Sequence, residues 1–510
     1  MRILVLIIGL LSFIFRSNGQ NVDLELQNIL ANRRLMGLST LAVCNDSIIY
    51  LGNIGTADYT RNIPVTDSTP YRIASISKTV TASALMTLYD QGFFSLDDDI
   101  GNILGYTVRN PYSPTIAITP RMLLSHTSSI QDGSGYSNFL SDTYLKNHPP
   151  ALSGLLSDTG IYYTCDLWQD HAPGTYFSYS NLNFGIIGTL IEKLSGQRFD
   201  IFCKQHILDP LGIKGSYRIQ DIFDINNVAV LYRMKNGEWQ AQADNFQGIM
   251  PQSRDLSTYT AGNNGLIYSP QSGLRISAYD LSKIMLMYIN GGIYKGIRIL
   301  KDSTISLMLQ PQWIYNGLNG DNFYGLFRRW GLGFQLTANA SDGDIVVPNY
   351  EMTGHIGDSY GLISDMFFNK NNRFGIVFIT NGSAGNFEGG NYSAFNAVEE
   401  DVFRVLFNLT IKPCMLSSSS GNVITGTNPD IFPDIVNDHF NARFYLPYAG
   451  TVNCKVYNHI GKEVLTYSWV FDFSGGKQLT IKTKGLVNGI YFCVFQSMEN
   501  SKTILFNIAK

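Results

Sequence analysis

The sequence predicts an α/β (α+β) domain built on an antiparallel sheet, followed by a small all-β sandwich. The chain has 510 residues, which is too long for one ordinary core and indicates two or three domains. Strand-like segments lie at both ends of residues 20–413 and helical patterns lie between them, so both ends would complete one sheet. Beyond residue 430 the helical period is lost, and short strand-like runs alternate with Gly and Asn turns.

The N-terminus has the pattern of a signal peptide. Arg2 precedes the apolar run from Ile3 to Phe15, and small residues follow around Gly19. Because this run is short for a membrane span, we expect residues 1–19 to be a cleaved signal peptide, with an N-terminal anchor as the alternative. Export would place the six cysteines where disulfides can form, but the sequence does not select a pairing.

The composition excludes several classes of partner and site. Hydrophobic residues make up 45% and charged residues 15%, as in a folded globular protein. A net charge of −3 from 37 basic and 40 acidic residues, without basic runs, predicts no nucleic-acid partner. The cysteines are scattered, without a C-x-x-C or a histidine pair at metal spacing, so we expect no metal site and no cofactor.

Periodicity predicts the elements of the first domain in order. They are two strands in Leu38–Gly55 around an Asn-Asp turn, helices over Thr79–Asp90, Leu182–Leu194 and Ala278–Ile289, and strands over Gly361–Asn369 and Arg373–Asn381. Residues 414–430 have the Ser/Gly/Asn/Thr composition of a linker. The boundaries are therefore expected at 20–413 for the large domain and 431–510 for the β-sandwich.

The segment "YRIASISKTVTASALM" contains three serines, of which one has a candidate base. Ser75 and Lys78 are three residues apart at the entry of a predicted helix, so their side chains share one face. A nearby amine can take the serine proton, and the helix N-terminus favours developing negative charge. Ser77 and Ser83 have apolar residues at the equivalent position. S-x-x-K alone is weak, because a second copy occurs at Ser474–Lys477.

Two later elements complete a possible constellation. Tyr179 and Asn181 lie two apart in an extended segment before the second helix, so both side chains can face one cleft. His355 and Gly357 lie just before the late strand pair. Both patterns also occur elsewhere in the sequence. Y-x-N recurs at Tyr136 and at Tyr288, and H-I-G recurs at His459. The order of the motifs along the chain and their predicted structural context therefore identify the candidate site, because the motifs alone are not specific.

The ordered blocks resemble the serine β-lactamase/penicillin-binding-protein superfamily. They are "RIASISK", "ITPRMLLSHTSSI", "PGTYFSYSN", "AGNNGLIYSPQSGLRISAYDLSKIM" and "TGHIGDSYG", and the resemblance extends from Leu38 to about Phe407. It is strongest to the class C branch, which includes DD-peptidases and esterases. The resemblance implies a β-lactamase/transpeptidase-like fold, with an antiparallel sheet flanked by helices and a helical subdomain.

The same resemblance implies roles for individual residues. Ser75 would attack a carbonyl and become acylated, Lys78 and Tyr179 would share the role of general base, and the ammonium would stabilise a tyrosinate. Asn181 would bind the amide of the substrate. The oxyanion hole would consist of the backbone N–H groups of Ser75 and Asp358, and Gly357 would let the strand approach the substrate closely. His126 in the second block is expected to be structural.

Two positions depart from the usual β-lactamase pattern. His355 replaces the usual lysine, so a substrate carboxylate would be paired only while the imidazole is protonated, nominally below about pH 6.5. Asp358 replaces a small residue, and its carboxylate would repel an anionic substrate unless it points into solvent. The histidine at position 355 favours D-amino-acid peptides and esters over β-lactams as substrates.

The last eighty or so residues resemble the C-terminal sorting domains of type IX secretion in Gram-negative bacteria. The matching segments are "FNARFYLPYAGTVNCKVYNHIGKEV", "LTIKTKGLVNGIYFCVF" and the terminal strand "KTILFNIAK". This implies passage through the periplasm to the exterior or the cell surface, with the secretion machinery as partner. A β-sandwich that binds glycan or another partner is the alternative.

The sequence therefore predicts a secreted serine hydrolase working through an acyl-enzyme on a small-molecule or peptide substrate. The alternative is a catalytically silent surface protein that uses the same pocket only for binding. Retention of Ser75, Lys78, Tyr179 and Asn181 together favours the hydrolase. The sequence leaves the oligomeric state open.

Overall fold

The computed structural model describes residues 21–341, 343–385, 387–419, 430–432, 435–436, 439–446, 450–459, 461–471, 475–497 and 500–508. These residues fall into two compact units, 1–412 and 413–510. The predicted signal peptide and residues 420–429 of the predicted linker lie outside the described residues. The start of that linker is helical, since α12 occupies Lys412–Ser419.

Helices of the first unit range from single turns to four turns. They are α1 (21–32), α2 (Ser77–Asp90), α3 (Ile100–Leu104), α4 (Pro120–Leu124), α5 (Ser134–Leu145), α6 (Ser153–Leu156), α7 (Asn181–Ser195), α8 (Phe199–Cys203), α9 (Ala278–Ile289), α10 (Asp302–Met308) and α11 (Ala397–Leu406). Short 3-10 or π turns lie at Ala74–Ile76, Cys165–Leu167, Lys204–Leu208, Ile219–Asp221, Ile225–Asn227, Gly265–Tyr268, Phe323–Gly325 and Phe407–Ile411.

The first unit has its longer strands near its two ends and shorter strands elsewhere. They are β1 (Gly37–Cys44), β2 (Ser47–Asp58), β3 (Ile63–Pro64), β4 (Tyr71–Arg72), β5 (Leu231–Lys235), β6 (Glu238–Ala243), β7 (Arg275–Ile276), β8 (Ile293–Tyr294), β9 (Ile297–Arg298), β10 (Trp313–Ile314), β11 (Arg329–Trp330), β12 (Gln335–Leu336), β13 (Thr353–Ser359), β14 (Leu362–Asn369), β15 (Phe374–Thr380) and β16 (Gly382–Ser383).

One nine-stranded sheet has the order β10-β11-β12-β13-β14-β15-β1-β2-β3. Its centre joins the two ends of the domain, because β1 pairs antiparallel with β15, with Leu38 opposite Thr380 and Cys44 opposite Phe374. The prediction of an antiparallel sheet completed from both ends is confirmed. β13, which carries the His-Ile-Gly motif, pairs with β14 and lies four places from β2 in this sheet.

Helices cover both faces of the sheet. Adjacent residues of a strand point to opposite faces. On β14, Phe368 stacks on Tyr288 of α9, whereas its neighbour Phe367 meets Phe403 of α11 edge-on. Helices α9 and α11 therefore pack on opposite faces, as the predicted class requires.

The helix α2 is the central helix of this unit. From Ser77 to Leu88 every residue is buried. Its polar side chains can be buried because they are hydrogen-bonded, for example Thr81 to the Pro270 carbonyl and Ser83 to the Tyr288 hydroxyl. The neighbouring helix α7 is also buried from Leu182 to Glu192. The start of α2 and the start of α7 therefore meet inside the domain, where Lys78 and Asn181 are bonded to each other.

In the described residues of the second unit, every regular element after α12 is a strand. These are β17 (Asp430–Phe432), β18 (Ile435–Val436), β19 (His439–Leu446), β20 (Gly450–Asn458), β21 (Glu463–Phe471), β22 (Gly475–Lys482), β23 (Gly489–Ser497) and β24 (Asn500–Ile508). They form a three-stranded sheet, β17-β19-β22, and a five-stranded sheet, β18-β24-β23-β20-β21. One apolar core includes Ile481 from the first sheet and Val456 and Phe495 from the second. The all-β prediction for this region is confirmed.

Candidate active site

Ser75 lies in the 3-10 turn directly before α2 and is partly exposed. The Lys78 Nζ atom donates a hydrogen bond to the Ser75 Oγ atom at 2.9 Å. The hydroxyl groups of the other two serines of the segment are buried and hydrogen-bonded to core residues. Ser77 Oγ accepts from the backbone N–H of Leu274 at 3.1 Å, and Ser83 pairs with the hydroxyl of Tyr288 at 2.9 Å. Ser75 alone of the three combines solvent access with the lysine.

Lys78 is completely buried. Its Nζ atom also donates to Asn181 Oδ1 at 2.8 Å and to the backbone carbonyl of Gln271 at 3.0 Å. All three acceptors are uncharged, so the ammonium lacks a directly bonded carboxylate among these partners. Burial lowers the pKa of Lys78 to about 7, with the charge of Asp132 acting in the opposite direction. A substantial fraction of this amine is therefore neutral at pH 7.

Tyr179 lies over the same lysine, with its ring centre 4.9 Å from Lys78 Nζ. Burial raises the pKa of the Tyr179 phenol, the Ser75 hydroxyl opposes the rise, and the Asp132 charge adds to it. The expectation that the ammonium lowers this pKa is therefore wrong. Desolvation of a tyrosinate dominates, and a lysine with a pKa near 7 has lost its charge at the higher pH at which the phenol would ionise.

Asn181 begins α7 and bridges two charged groups. Its Oδ1 atom accepts from Lys78, and its Nδ2 atom donates to Asp132 Oδ2 at 2.8 Å. The sequence reasoning missed Asp132 and the carbonyl of Gln271. A backbone carbonyl has no signature in the sequence, and Asp132 follows the second family block without a motif of its own.

His355 is completely buried beside the same cluster. Its ring lies 6.1 Å from that of Tyr179 and 5.3 Å from that of Trp330. Nδ1 donates to the Ile356 carbonyl at 2.6 Å, and Nε2 has no hydrogen-bond partner in the described part of the chain. Burial lowers the pKa of His355 to about 3. The expected protonation near pH 6.5 is therefore wrong, because the ring is desolvated and lies near Lys78.

Strand β13 approaches the Ser75 turn closely at Gly357. A Cβ atom on Gly357 would lie 2.6 Å from the Ile73 carbonyl and 2.3 Å from Ser364 Oγ, which itself donates to that carbonyl at 3.1 Å. Ala74, just before Ser75, has a φ of +48°, a left-handed conformation that costs a non-glycine residue energy. The contact brings the backbone of Asp358 beside the turn. The side chain of Asp358 is exposed.

We expect Gly357→Ala to slow acylation of Ser75 by at least about tenfold, because a small displacement of reacting groups has a large effect on rate. The added methyl group meets a backbone carbonyl, which cannot move without moving Ser75. The measurement is the rate of covalent labelling by a fluorophosphonate. Gly385→Ala is the matched control, since a Cβ there meets nothing within 4 Å. Labelling of Gly357→Ala at the wild-type rate would show that the strand contact is unimportant.

The copies of the motifs make other contacts. Tyr288 pairs with Ser83 in the core, and His459 and Lys477 belong to the second unit. Within the described ranges, no group of three or more His, Cys, Asp or Glu side chains is arranged to hold a metal ion. No helix within these ranges has the length and apolar character needed to cross a membrane.

Known proteins match both units. The Beta-lactamase family model matches residues 22–399, and the secretion system C-terminal sorting domain matches residues 430–508. Penicillin-binding protein 4 of Amycolatopsis lactamdurans is 26% identical over 328 residues, which are 64% of this chain and 76% of that protein. Protein flp of Staphylococcus aureus strain MW2 is 26% identical over 216 residues, or 42% of this chain. The match spans only 41% of the length of that staphylococcal relative.

Solved structures share the fold. The octameric penicillin-binding protein homologue from Pyrococcus abyssi has a TM-score of 0.56 at 20% identity and covers 96% of each chain. The D-amino acid amidase of Ochrobactrum anthropi SV3, complexed with L-phenylalanine, has a TM-score of 0.55 at 21% identity, covering 79% of this chain and 100% of that chain. With the family match over most of its length, this chain belongs to the β-lactamase family of serine hydrolases, and its type IX sorting domain marks it as a secreted or cell-surface protein.

Proposed function

We propose that this protein is a secreted serine hydrolase that forms an acyl-enzyme on Ser75 and acts on D-amino-acid amides or peptides, or on esters, rather than primarily on β-lactams. The observation that carries the proposal is the buried Lys78 amine, which lies 2.9 Å from Ser75 Oγ and has a pKa of about 7. A binding protein has no need for an amine whose pKa is lowered to about 7 beside a serine hydroxyl.

The acylation step follows from this geometry. Neutral Lys78 takes the Ser75 proton as Oγ bonds to the carbonyl carbon of the substrate, and the π electrons move to the carbonyl oxygen. The backbone N–H groups of Ser75 and Asp358 stabilise that oxyanion. Collapse expels the amine or alkoxide, which receives the proton now held by Lys78. Tyr179, protonated because of its raised pKa, relays that proton. Water then releases the acyl group by the reverse sequence.

The charges around the cluster support uncharged substrates. His355 is neutral and its Nε2 atom is buried, so the ring offers no positive charge to pair with a substrate carboxylate. The carboxylate of Asp132, bonded to Asn181 beside the cluster, would also disfavour an anionic substrate. Related folds include an enzyme described as D-alanine carboxypeptidase AmpC from Burkholderia cenocepacia and the hydrolase EstCE1.

The second unit has a separate role in this proposal. Residues 430–508 match a sorting domain, so the secretion machinery would be the partner of this unit and the substrate would be the partner of the first. Deleting the second unit should therefore prevent export and leave the chemistry at Ser75 intact.

The test uses the full chain without its signal peptide. The protein is incubated separately with a fluorophosphonate, a fluorescent penicillin, D-phenylalaninamide and a neutral p-nitrophenyl ester, and adducts and products are measured by mass spectrometry and absorbance. We expect a fluorophosphonate adduct and turnover of the amide or the ester. A folded protein that forms no adduct and turns over none of these compounds would be a binding protein.

The pH profile should contain one acid limb. Because only neutral Lys78 accepts the proton, kcat/KM for a neutral ester should rise through the pKa of about 7 and level off above it. His355, with a pKa of about 3, stays neutral over this range and adds no second limb. The ratio of kcat/KM values for a matched acid and ester should therefore be constant from about pH 5.5 to 8. An acid-to-ester ratio that falls as the pH rises through about 6.5 would mean that protonated His355 pairs with the carboxylate of the acid substrate.

A further inference from the structure

Helix α7 has no capping bond from its own N-terminal residue, and Asp132, in a separate loop, caps it instead. The residue before α7, Ser180, makes no side-chain capping bond. Instead, Asp132 Oδ1 accepts from the Leu182 N–H at 2.9 Å and from Ser180 Oγ at 2.9 Å. Asp132 Oδ2 accepts from the Asn181 N–H at 3.1 Å and from Asn181 Nδ2 at 2.8 Å. A carboxylate has about four acceptor positions, so this one is saturated by the start of α7.

These bonds fix the orientation of the Asn181 amide. With Nδ2 held on Asp132, Oδ1 faces Lys78 Nζ at 2.8 Å. A flipped amide would place its NH₂ group against the lysine donor and its oxygen against the carboxylate, so both contacts would be repulsive. The carboxylate therefore selects the one orientation in which Asn181 offers Lys78 an acceptor.

We propose that Asp132 is a positioning residue of this active site, which holds Asn181 and the first turn of α7 so that the Lys78 amine stays against Ser75. The inference rests on the proposed function, since it assigns Asp132 a role in the same reaction. It names a residue outside the three sequence motifs, and it acts through Asn181 without contact with the reacting atoms.

Asp132 also affects the charge of Lys78. The titratable groups facing Lys78 are His126, His355 and Tyr179, and burial lowers the pKa of both imidazoles and raises that of the phenol, so all three are neutral at pH 7. The negative charge of Asp132 raises the pKa of Lys78 against the effect of burial. Removing that charge should therefore move the acid limb of the pH profile to lower pH. Because Asp132 is exposed, salt should weaken the shift.

The experiment measures kcat/KM for the neutral ester across pH in four proteins: wild type, Asp132→Asn, Asp132→Glu and Asp166→Asn. We expect Asp132→Asn to lower the plateau by about 10- to 100-fold, as for a misplaced catalytic group, and to move the midpoint to lower pH. Asp132→Glu keeps the charge but shifts the carboxylate, so it should lower the plateau without moving the midpoint. Asp166→Asn is the control, because Asp166 accepts from the Ser134 N–H in the neighbouring segment and is not bonded to α7.

A double-mutant cycle measures the coupling between Asp132 and Asn181, which a general loss of stability would not produce. If Asp132 acts through Asn181, the losses of Asp132→Asn and Asn181→Ala should be strongly non-additive. Additive losses, or a folded Asp132→Asn with the wild-type plateau and midpoint, would overturn the inference. If Asp132→Asn does not fold, a wild-type plateau in Asp132→Glu would overturn it. If only the amide is turned over, the same variants are compared on D-phenylalaninamide. A folded wild-type protein that forms no adduct and turns over none of the test compounds would overturn the proposed function itself, and with it this inference.

Discussion

Ser75→Ala is expected to abolish fluorophosphonate labelling and to reduce turnover of every substrate by at least about 10⁴-fold, the effect of removing a nucleophile that acts with its base as one unit. Ser75 is the serine of the segment that is both partly exposed and bonded to Lys78. The measurement is intact-protein mass spectrometry after labelling, together with kcat/KM for the ester. Since the hydroxyl is small and partly exposed, the melting temperature should change little.

The matched control is Ser77→Ala, two residues away. Its hydroxyl is an acceptor for the Leu274 N–H in the core, so its loss leaves a buried donor unpaired at a cost of about 1–3 kcal/mol in the free energy of unfolding. We expect lower stability and clear labelling from this variant. Wild-type labelling of Ser75→Ala would refute the assignment of the nucleophile, whatever the result for Ser77→Ala.

Lys78→Met should reduce kcat/KM at pH 8 by about 10²- to 10⁴-fold, the usual contribution of a positioned general base. Methionine keeps the length of the buried chain but cannot accept the serine proton. It leaves Asn181 Oδ1 and the Gln271 carbonyl without this donor, and it also removes the cost of burying an amine, so the fold should persist. The measurement is the full pH profile, which should lose its midpoint near pH 7.

Two further variants make this test specific. Lys283→Met removes a lysine of α9 that is paired with Asp280 at 2.7 Å, and it should retain the wild-type profile. Tyr179→Phe should lose activity non-additively with Lys78→Met, because both belong to one proton-transfer unit. If Lys78→Met kept a midpoint near pH 7, another group would be the base.

Local patterns predicted the elements that position the site. The i, i+3 spacing of Ser75 and Lys78 predicted that their side chains share one face at the start of a helix. In the structure α2 begins at Ser77, and the two side chains are hydrogen-bonded. The strand alternation and turns around β1, β14 and β15 predicted a sheet closed from both ends, as the pairing of β1 with β15 shows. Helix starts, strand alternation and turns depend on residues close together in the sequence, so they can be predicted from the sequence alone.

The sequence could not predict the electrostatics, because these depend on burial by distant segments. His355 was expected to titrate near neutrality, but packing against Trp330 and Tyr179 lowers its pKa to about 3. The same burial raises the pKa of the Tyr179 phenol, which the ammonium alone would have lowered. Asp132 reaches Asn181 across 49 residues of sequence, so its role also emerges only from the fold.

Locating the covalent adduct tests the central claim most directly. Trypsin cleavage after Arg72 and Lys78 releases the peptide IASISK, in which fragmentation between Ser75 and Ser77 distinguishes the two hydroxyls. The protein is labelled with the fluorophosphonate, digested and sequenced by tandem mass spectrometry. The account predicts one adduct, on Ser75. An adduct on Ser77 or in any other peptide, or a folded protein with no adduct, would contradict it.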